Sequence, residues 1–400
     1  MRDFRSIEEL FVYRDNLHVA NLRRTPRGCE FRYTAPFLDS KESAIALHLP
    51  KTQGGTTVEG IANLPTYFAG LLPEGVMFSA VRSLIGSAAD DLFAVLAATG
   101  SDAIGDIDVR LPGEGPRIPN LTLLEARDLI KSLLKPKPNF PLDGLAAIAG
   151  SQPKLSIGEL VRATRRASLI AKFDSPEFAG LLENEYAFTR LARLCRLDVS
   201  ETRLISGVLV ITRFDRSYNS ATRQQTKIHV EDMLQVMDLF PNSKYSLEYV
   251  DLLDAMQRLG TSKSTLLDAL ELYVFCYLIG NGDLHAKNVS LILDKEDGQW
   301  RLAPVYDLLS TLPYRNLLTG ADRMALALSD DNFGRFTVAE FVDIGSRFEL
   351  PAKAVSKMLD RLAKAVLKFL PDVLQNYPVP DVTESIAARA ESMLGKRAHD

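Results

Sequence analysis

Residues 281–307 read NGDLHAKNVSLILDKEDGQWRLAPVYD, and they constrain the fold more than any other stretch of the chain. Three polar groups occur there in a fixed order. Asp283 is followed five positions later by Asn288, and a second aspartate, Asp307, closes the apolar run Leu302, Ala303, Pro304, Val305 and Tyr306. That order suits phosphoryl transfer. One carboxylate accepts or orients a hydroxyl proton, while an amide oxygen and a second carboxylate hold Mg2+ against phosphates. Asp283 is therefore the candidate base, and Asn288 and Asp307 are candidate metal ligands. His285 and Lys287 lie inside the same loop, and His285, two positions from the candidate base, is placed to contact a phosphate. The D-x-x-x-x-N spacing also fits a plain polar turn between a buried helix and a strand, so it does not decide the chemistry alone.

The chain has 400 residues, 46% hydrophobic and 24% charged, enough apolar content for a sizeable core in two or three domains. A net charge of −4 excludes a surface that binds nucleic acid along its whole extent. The basic clusters Arg23, Arg24, Arg27 and Arg162, Arg165, Arg166 read as solvated turns. Cys29, Cys195 and Cys276 are scattered, with no pair at metal-ligand spacing, and the last two stand in apolar helical contexts as buried thiols. The first residues lack an apolar signal-peptide core, and the apolar run at 272–279 is too short to span a bilayer. A reducing, cytoplasmic setting with no membrane partner is expected.

Along the chain, short runs at 10–13, 18–22, 30–33 and 44–49 predict strands separated by turn signals. A helical segment opens at Pro65 and is interrupted at Pro73, a short helix follows at 89–99, and another at 122–134. KPKPNFP at 135–141 reads as a linker. Beyond it, strands are predicted at 154–161 and 167–173, a helix at 181–196 and a buried strand at 207–214. From about Leu234 the pattern is helical, strongest at 266–278, just before the loop that carries Asp283. These boundaries divide the chain into 1–138, a β-rich region with helices; 139–235, a small-lobe core; and 236–400, a helical lobe.

The order is a loop of small residues, a strand, a strand ending in lysine, a helix with glutamate, an apolar strand, helices, D-x-x-x-x-N and then Asp. It is the order of parts in a two-lobed protein kinase. Gly150 and Gly158 do not make a conventional G-x-G-x-x-G loop, but the small residues around Gly150 let backbone N–H groups approach a phosphate. The motifs AGSQPKLSI (149–157), ENEY (183–186), ITRFDR (211–216), HVEDM (229–233), NGDLHAKNVSL (281–291) and PVYDLLS (304–310), with FAGLLPEG (68–75) upstream, resemble the HipA-type serine/threonine kinases in order and over nearly the whole chain.

That resemblance implies an α+β, two-lobed kinase-like fold and an enzyme that uses ATP and Mg2+. It implies Asp283 as catalytic base and Asn288 and Asp307 as metal ligands. The phosphate-binding loop is matched by Ala149, Gly150, Ser151, Gln152 and Lys154. Lys172 matches the strand lysine on the α- and β-phosphates, with Glu185 as its ion-pair partner. Thr212 and Phe214 fall in the hinge that meets adenine, and His285 and Lys287 near the phosphates. The resemblance further implies a growth-arresting toxin with a protein substrate, an aminoacyl-tRNA synthetase being the family precedent. Its partner would be a small helix-turn-helix antitoxin, with DNA contacted only through that antitoxin.

One position departs from the family pattern. A serine whose phosphorylation ejects the loop is replaced by Ala147, so any such switch would use Ser151 or Ser156. Two other readings share the D-x-x-x-x-N…D core: a small-molecule phosphotransferase, and a catalytically silent kinase fold acting as a co-repressor module with its antitoxin.

Overall fold

In a computed structural model the described residues are 3–60, 64–86, 91–115, 123–133, 154–161, 164–174, 177–219, 224–318, 320–330, 332–334 and 336–395. The chain forms two compact units and crosses between them repeatedly. The first comprises residues 1–175, 205–231 and 238–241, the second 176–204, 232–237 and 242–400.

The first unit is β-rich. Alternating burial along Glu9–Arg14 puts Leu10, Val12 and Arg14 inward, the period-2 signature of a strand with one covered face. It pairs antiparallel with Leu17–Thr25, which pairs with Gly28–Tyr33, inside a five-stranded sheet. Two further members of that sheet, Thr56–Glu59 and Ile107–Arg110, are only four residues each and are not among the expected strands. Ile107–Arg110 buries Asp108 and Arg110 because they pair with each other at 2.5 Å and because Lys227 reaches Asp108 at 2.5 Å. The strand expected at 44–49 is instead a run of bends and turns. Its apolar residues Ile45, Ala46 and Leu49 are buried, and the Tyr33 hydroxyl holds them by accepting from Ile45 N (2.9 Å) and donating to Leu49 O (2.6 Å). Arg24 is not in a solvated turn: it lies on a strand, 2.9 Å from Asp91.

The helix predicted from Pro65 splits at Pro73 into Thr66–Gly70 and Gly75–Ile85. The helix expected at 89–99 runs over Leu92–Thr99, capped by the Asp91 side chain accepting from Ala94 N at 3.1 Å, and the one expected at 122–134 over Leu123–Leu133. A smaller sheet in the same unit pairs Lys154–Val161 with Thr164–Lys172 and the latter with Val208–Thr212, all antiparallel. The linker at 135–141 lies outside the described residues.

The second unit is mainly helical. Lys263–Ile279 is buried on all sides from Leu272 onward, and Ser262 caps it by accepting from Thr265 N at 3.2 Å. Ala352–Asn376 shows a single buried stripe through Val355, Met358, Leu359, Leu362, Val366 and Leu370. A hairpin of Ser290–Leu293 and Trp300–Leu302 follows the Asp283 loop directly. All three cysteines are buried and free, and burial pushes the Cys29 and Cys195 thiols up to about 12.

Candidate functional site

The loop carrying Asp283 begins where helix Lys263–Ile279 stops. Gly280 takes φ +70°, and the amides of Gly280 and Asn281 donate back to Tyr277 O (3.2 Å) and Cys276 O (2.8 Å). This doubly bonded left-handed ending reverses the chain, so the next residues leave the helix at a set angle. Gly282 follows, half-buried, with its N–H on Thr311 Oγ1 at 2.9 Å.

Asn281 joins the two halves of the site. Its side-chain oxygen accepts from Asp283 N at 3.0 Å, and its Nδ2 donates to Asp307 O at 3.3 Å. Asn288 closes the loop from the other side, its Nδ2 donating to Asp283 O at 2.9 Å. With Nδ2 engaged, the Asn288 side chain is left to present its amide oxygen as an acceptor. Asp283, Asn288 and Asp307 are thus brought together in one unit through backbone and amide contacts. Oxygen donors of this kind suit Mg2+, which is commonly bound by one or two carboxylates together with substrate phosphates. Among the described residues no group of three or more His, Cys, Asp or Glu side chains is arranged to hold a metal ion.

Asp307 has φ +55°, a left-handed conformation that few non-glycine residues adopt and that aspartate tolerates better than most. The segment after it is clamped from two sides. Asn184 Nδ2 donates to Ser310 O (2.8 Å) and Ser310 N donates to Asn184 Oδ1 (2.9 Å). Thr311 donates to Ala321 O at 2.6 Å, and its N–H donates to Gly280 O at 2.9 Å. Asn184 and buried Glu185 sit on helix Leu181–Leu194, so the helix with the candidate glutamate is docked against the segment that follows the candidate metal ligand Asp307.

The remaining loop residues are buried. Lys287 lies 3.8 Å from Asp232, which also caps helix Met233–Val236 by accepting from Gln235 N at 2.9 Å. Tyr306 donates to Lys287 O at 2.8 Å and shares a 2.6 Å bond with the Ser290 hydroxyl. His285 is 7% exposed, with the Tyr245 ring edge-on at 5.2 Å. Tyr245 is half-exposed and donates its hydroxyl to Asp283 Oδ1 at 2.7 Å.

In the β-rich unit, Lys172 ends its strand in register with Lys154 on one side and Leu209 on the other, and is 2% exposed. Thr212 and Phe214 are half-buried, alternating with buried Arg213 and Asp215. Asp215 faces Arg213 at 2.7 Å and Arg216 at 2.8 Å, and Arg213 also reaches Asp102 at 3.0 Å. Burial would raise the Asp215 carboxyl, but Arg213 and Arg216 hold it well below the usual carboxylate range. Lys154 and Ser156 are placed by the backbone of their strand alone. Ala147, Ala149, Gly150, Ser151 and Gln152 lie outside the described residues.

Asn281, Asn184 and Thr311 carry no chemical signal in the sequence beyond standing in or beside the motifs NGD, ENEY and PVYDLLS. Tyr245 stands in no motif that points to it.

A family model described as the HipA-like C-terminal domain matches residues 146–369, and one for the HipA N-terminal domain matches residues 10–110. The chain belongs to the HipA family. The Y4dM protein of Sinorhizobium fredii, named as a candidate kinase, is 30% identical over 329 residues, covering 76% of this chain and 75% of that one. The serine/threonine-protein kinase toxin HipA of Shewanella oneidensis is 24% identical over 373 residues, covering 82% and 83%. The solved structure of Shewanella oneidensis HipA with HipB and operator DNA superposes with a TM-score of 0.76 at 20% identity, covering 97% of this chain and 98% of that one. The HipA-like α+β, kinase-like fold therefore extends over essentially the whole chain. No helix among the described residues is long and apolar enough to cross a membrane.

Proposed function

We propose that this HipA-family chain is an ATP- and Mg2+-dependent serine/threonine protein kinase. The observation that carries the reading is the Asn281 bridge, which ties the backbone of Asp283, the assigned base, to that of Asp307, the assigned metal ligand. In this reading a serine or threonine hydroxyl attacks the γ-phosphorus of ATP. The bond to the β–γ bridging oxygen breaks, ADP leaves, and the hydroxyl proton passes to Asp283. Asn288 and Asp307 hold Mg2+, which neutralises charge on the phosphates. Lys172 is assigned the α- and β-phosphates, which suits an ammonium that is 2% exposed at the end of an apolar strand. His285, Lys287, Lys154 and the backbone of 149–152 are assigned further phosphate contacts, and the backbone of Thr212 and Phe214 the adenine.

The relatives support a biological role. The curated Shewanella protein is a kinase toxin, and its solved form is a complex with HipB and operator DNA. We infer a cytoplasmic, growth-arresting toxin whose partner is a small helix-turn-helix antitoxin, with DNA reached through that antitoxin. Its target would be a translation protein such as an aminoacyl-tRNA synthetase.

Asp283→Asn and Asp307→Asn separate the assigned roles. Asparagine also tolerates φ near +55°, so Asp307→Asn is expected to stay folded. Calorimetric titration with a non-hydrolysable ATP analogue and Mg2+ should show affinity near wild type for Asp283→Asn and weakened affinity for Asp307→Asn. Transfer by Asp283→Asn should fall by roughly 10²–10⁴. Wild-type transfer by that variant, or no nucleotide binding by folded wild type, overturns the reading. Phosphoproteomics after brief expression, with Asp283→Asn as control, would identify the target.

A further inference from the structure

Residues 241–248, PNSKYSLE, lie between two helical segments and are absorbed by no part of the reading above. Three contacts dock this segment on the Asp283 loop. Ala286 N donates to Lys244 O at 3.2 Å. The Tyr245 ring stands edge-on to the His285 ring at 5.2 Å and 76°. The Tyr245 hydroxyl donates to Asp283 Oδ1 at 2.7 Å. The phenol is nevertheless 51% exposed, so core packing does not explain its placement. A tyrosine that is half in water, fastened by its hydroxyl and by the carbonyl of the residue before it, is held for the sake of what its hydroxyl touches.

We propose that Tyr245 is a positioning residue for the phosphoryl transfer assigned to Asp283, an inference that rests on that assignment. Its hydroxyl occupies Oδ1 and fixes the rotation of the carboxylate. Oδ2 is then the oxygen turned to the incoming serine or threonine hydroxyl. Asp283 is half-buried on a loop, and the remaining fastenings of that loop act on its backbone, through Asn281 and Asn288. Without Tyr245 the backbone would stay in place while the carboxylate rotated. The Tyr245 ring, exposed and beside that carboxylate, would offer the surface on which the acceptor side chain rests. Lys244, whose ammonium lies 5.2 Å from the centre of that ring, stiffens it by a cation–π contact.

The inference predicts a division between catalysis and nucleotide binding. Tyr245→Phe keeps the ring and its contact with His285 but removes the donor. A hydrogen bond to a charged group commonly contributes about 1.5–3 kcal/mol, so kcat should fall roughly ten- to hundredfold, with analogue affinity unchanged. Tyr245→Ala should show the same loss and, in addition, a raised KM for the acceptor. The assay is ADP release from Mg2+–ATP with dephosphorylated casein as a general acceptor, alongside calorimetry with the ATP analogue and a thermal melt for each variant. If Asp283→Asn abolishes ADP release while Tyr245→Phe runs at the wild-type rate, the positioning role is wrong and the base assignment stands. If Asp283→Asn is as fast as wild type, or wild type releases no ADP, the reading of the site fails first. A faster Tyr245→Phe would make the phenol an obstruction on the base and would also overturn the proposal.

Discussion

A methyl group at Gly282 would lie 2.6 Å from the carbonyl oxygen of Arg323 and 2.7 Å from Thr311 Oγ1. The nearer obstacle is backbone, which cannot turn aside as a side chain would. Gly282→Ala is therefore expected to destabilise the fold by roughly 1–3 kcal/mol and to lower ADP release with it, both seen by melting and turnover on one sample. Asn281→Ala acts on the same loop by a different route. It leaves Asp283 N and Asp307 O without the partners they have now, at about 1–3 kcal/mol for each group that water cannot reach. Because it loosens the tie between base and metal ligand, it should lower the transfer rate more than it lowers nucleotide affinity.

Helix Lys263–Ile279 shows what the ending of an element contributes to the site. Its apolar run is a local signal that places a helix at 266–278, just before the Asp283 loop, whereas the stop at Gly280 emerges only in the structure. The reason Gly280 must be glycine is only partly local. Its φ of +70° costs an L-residue about 1–2 kcal/mol, and a Cβ there would also lie 2.6 Å from the side chain of Leu312, which packs against it from the segment beyond Asp307. Gly280→Ala should lower the melting temperature and weaken Mg2+–ATP analogue binding, since it disturbs both sides of the Asn281 bridge. Elements that are very short, or whose apolar residues cover a sheet without joining it, escape a reading by period. Ile107–Arg110 is a strand whose charged residues are buried by pairing, and 44–49 is an apolar run that covers a sheet without joining it.

On the scale of the whole molecule, the β-rich unit is held by buried charges as well as by its apolar core. Asp215 and Asp102 together neutralise Arg213 and Arg216, and Asp215 also accepts from Gly105 N at 2.9 Å. Removing one partner of such a cluster strands a buried cation, so Asp215→Ala is expected to cost roughly 3–5 kcal/mol, read as a lowered urea midpoint. A second cluster gives the stability a pH dependence. His229 lies 2.9 Å from Glu231 and 3.3 Å from Asp106, with Arg14 at 3.5 Å. Burial alone would depress the imidazole, but the two carboxylates overcome it and raise the group to about 9. The folded state therefore favours protonated His229. Its contribution is complete below the ordinary value of 6.5 and is lost as pH rises through about 9. Urea midpoints should fall between pH 6.5 and 9, and His229→Gln should flatten that slope.

The sequence alone determined the order of parts, the HipA-like fold, which loop bears Asp283 and Asn288, and which segment after it ends in Asp307. Those features rest on short-range regularities: a five-residue spacing and a helical period. The tertiary structure decided which polar residues serve them. Asn184 meets Ser310 across 126 positions, Arg213 meets Asp102 across 111, and Tyr245 meets Asp283 across 38. A polar side chain has no periodicity that betrays a distant partner, and in sequence it reads as surface. Only closure of the chain brings donor and acceptor within hydrogen-bond reach, where burial makes the pairing obligatory.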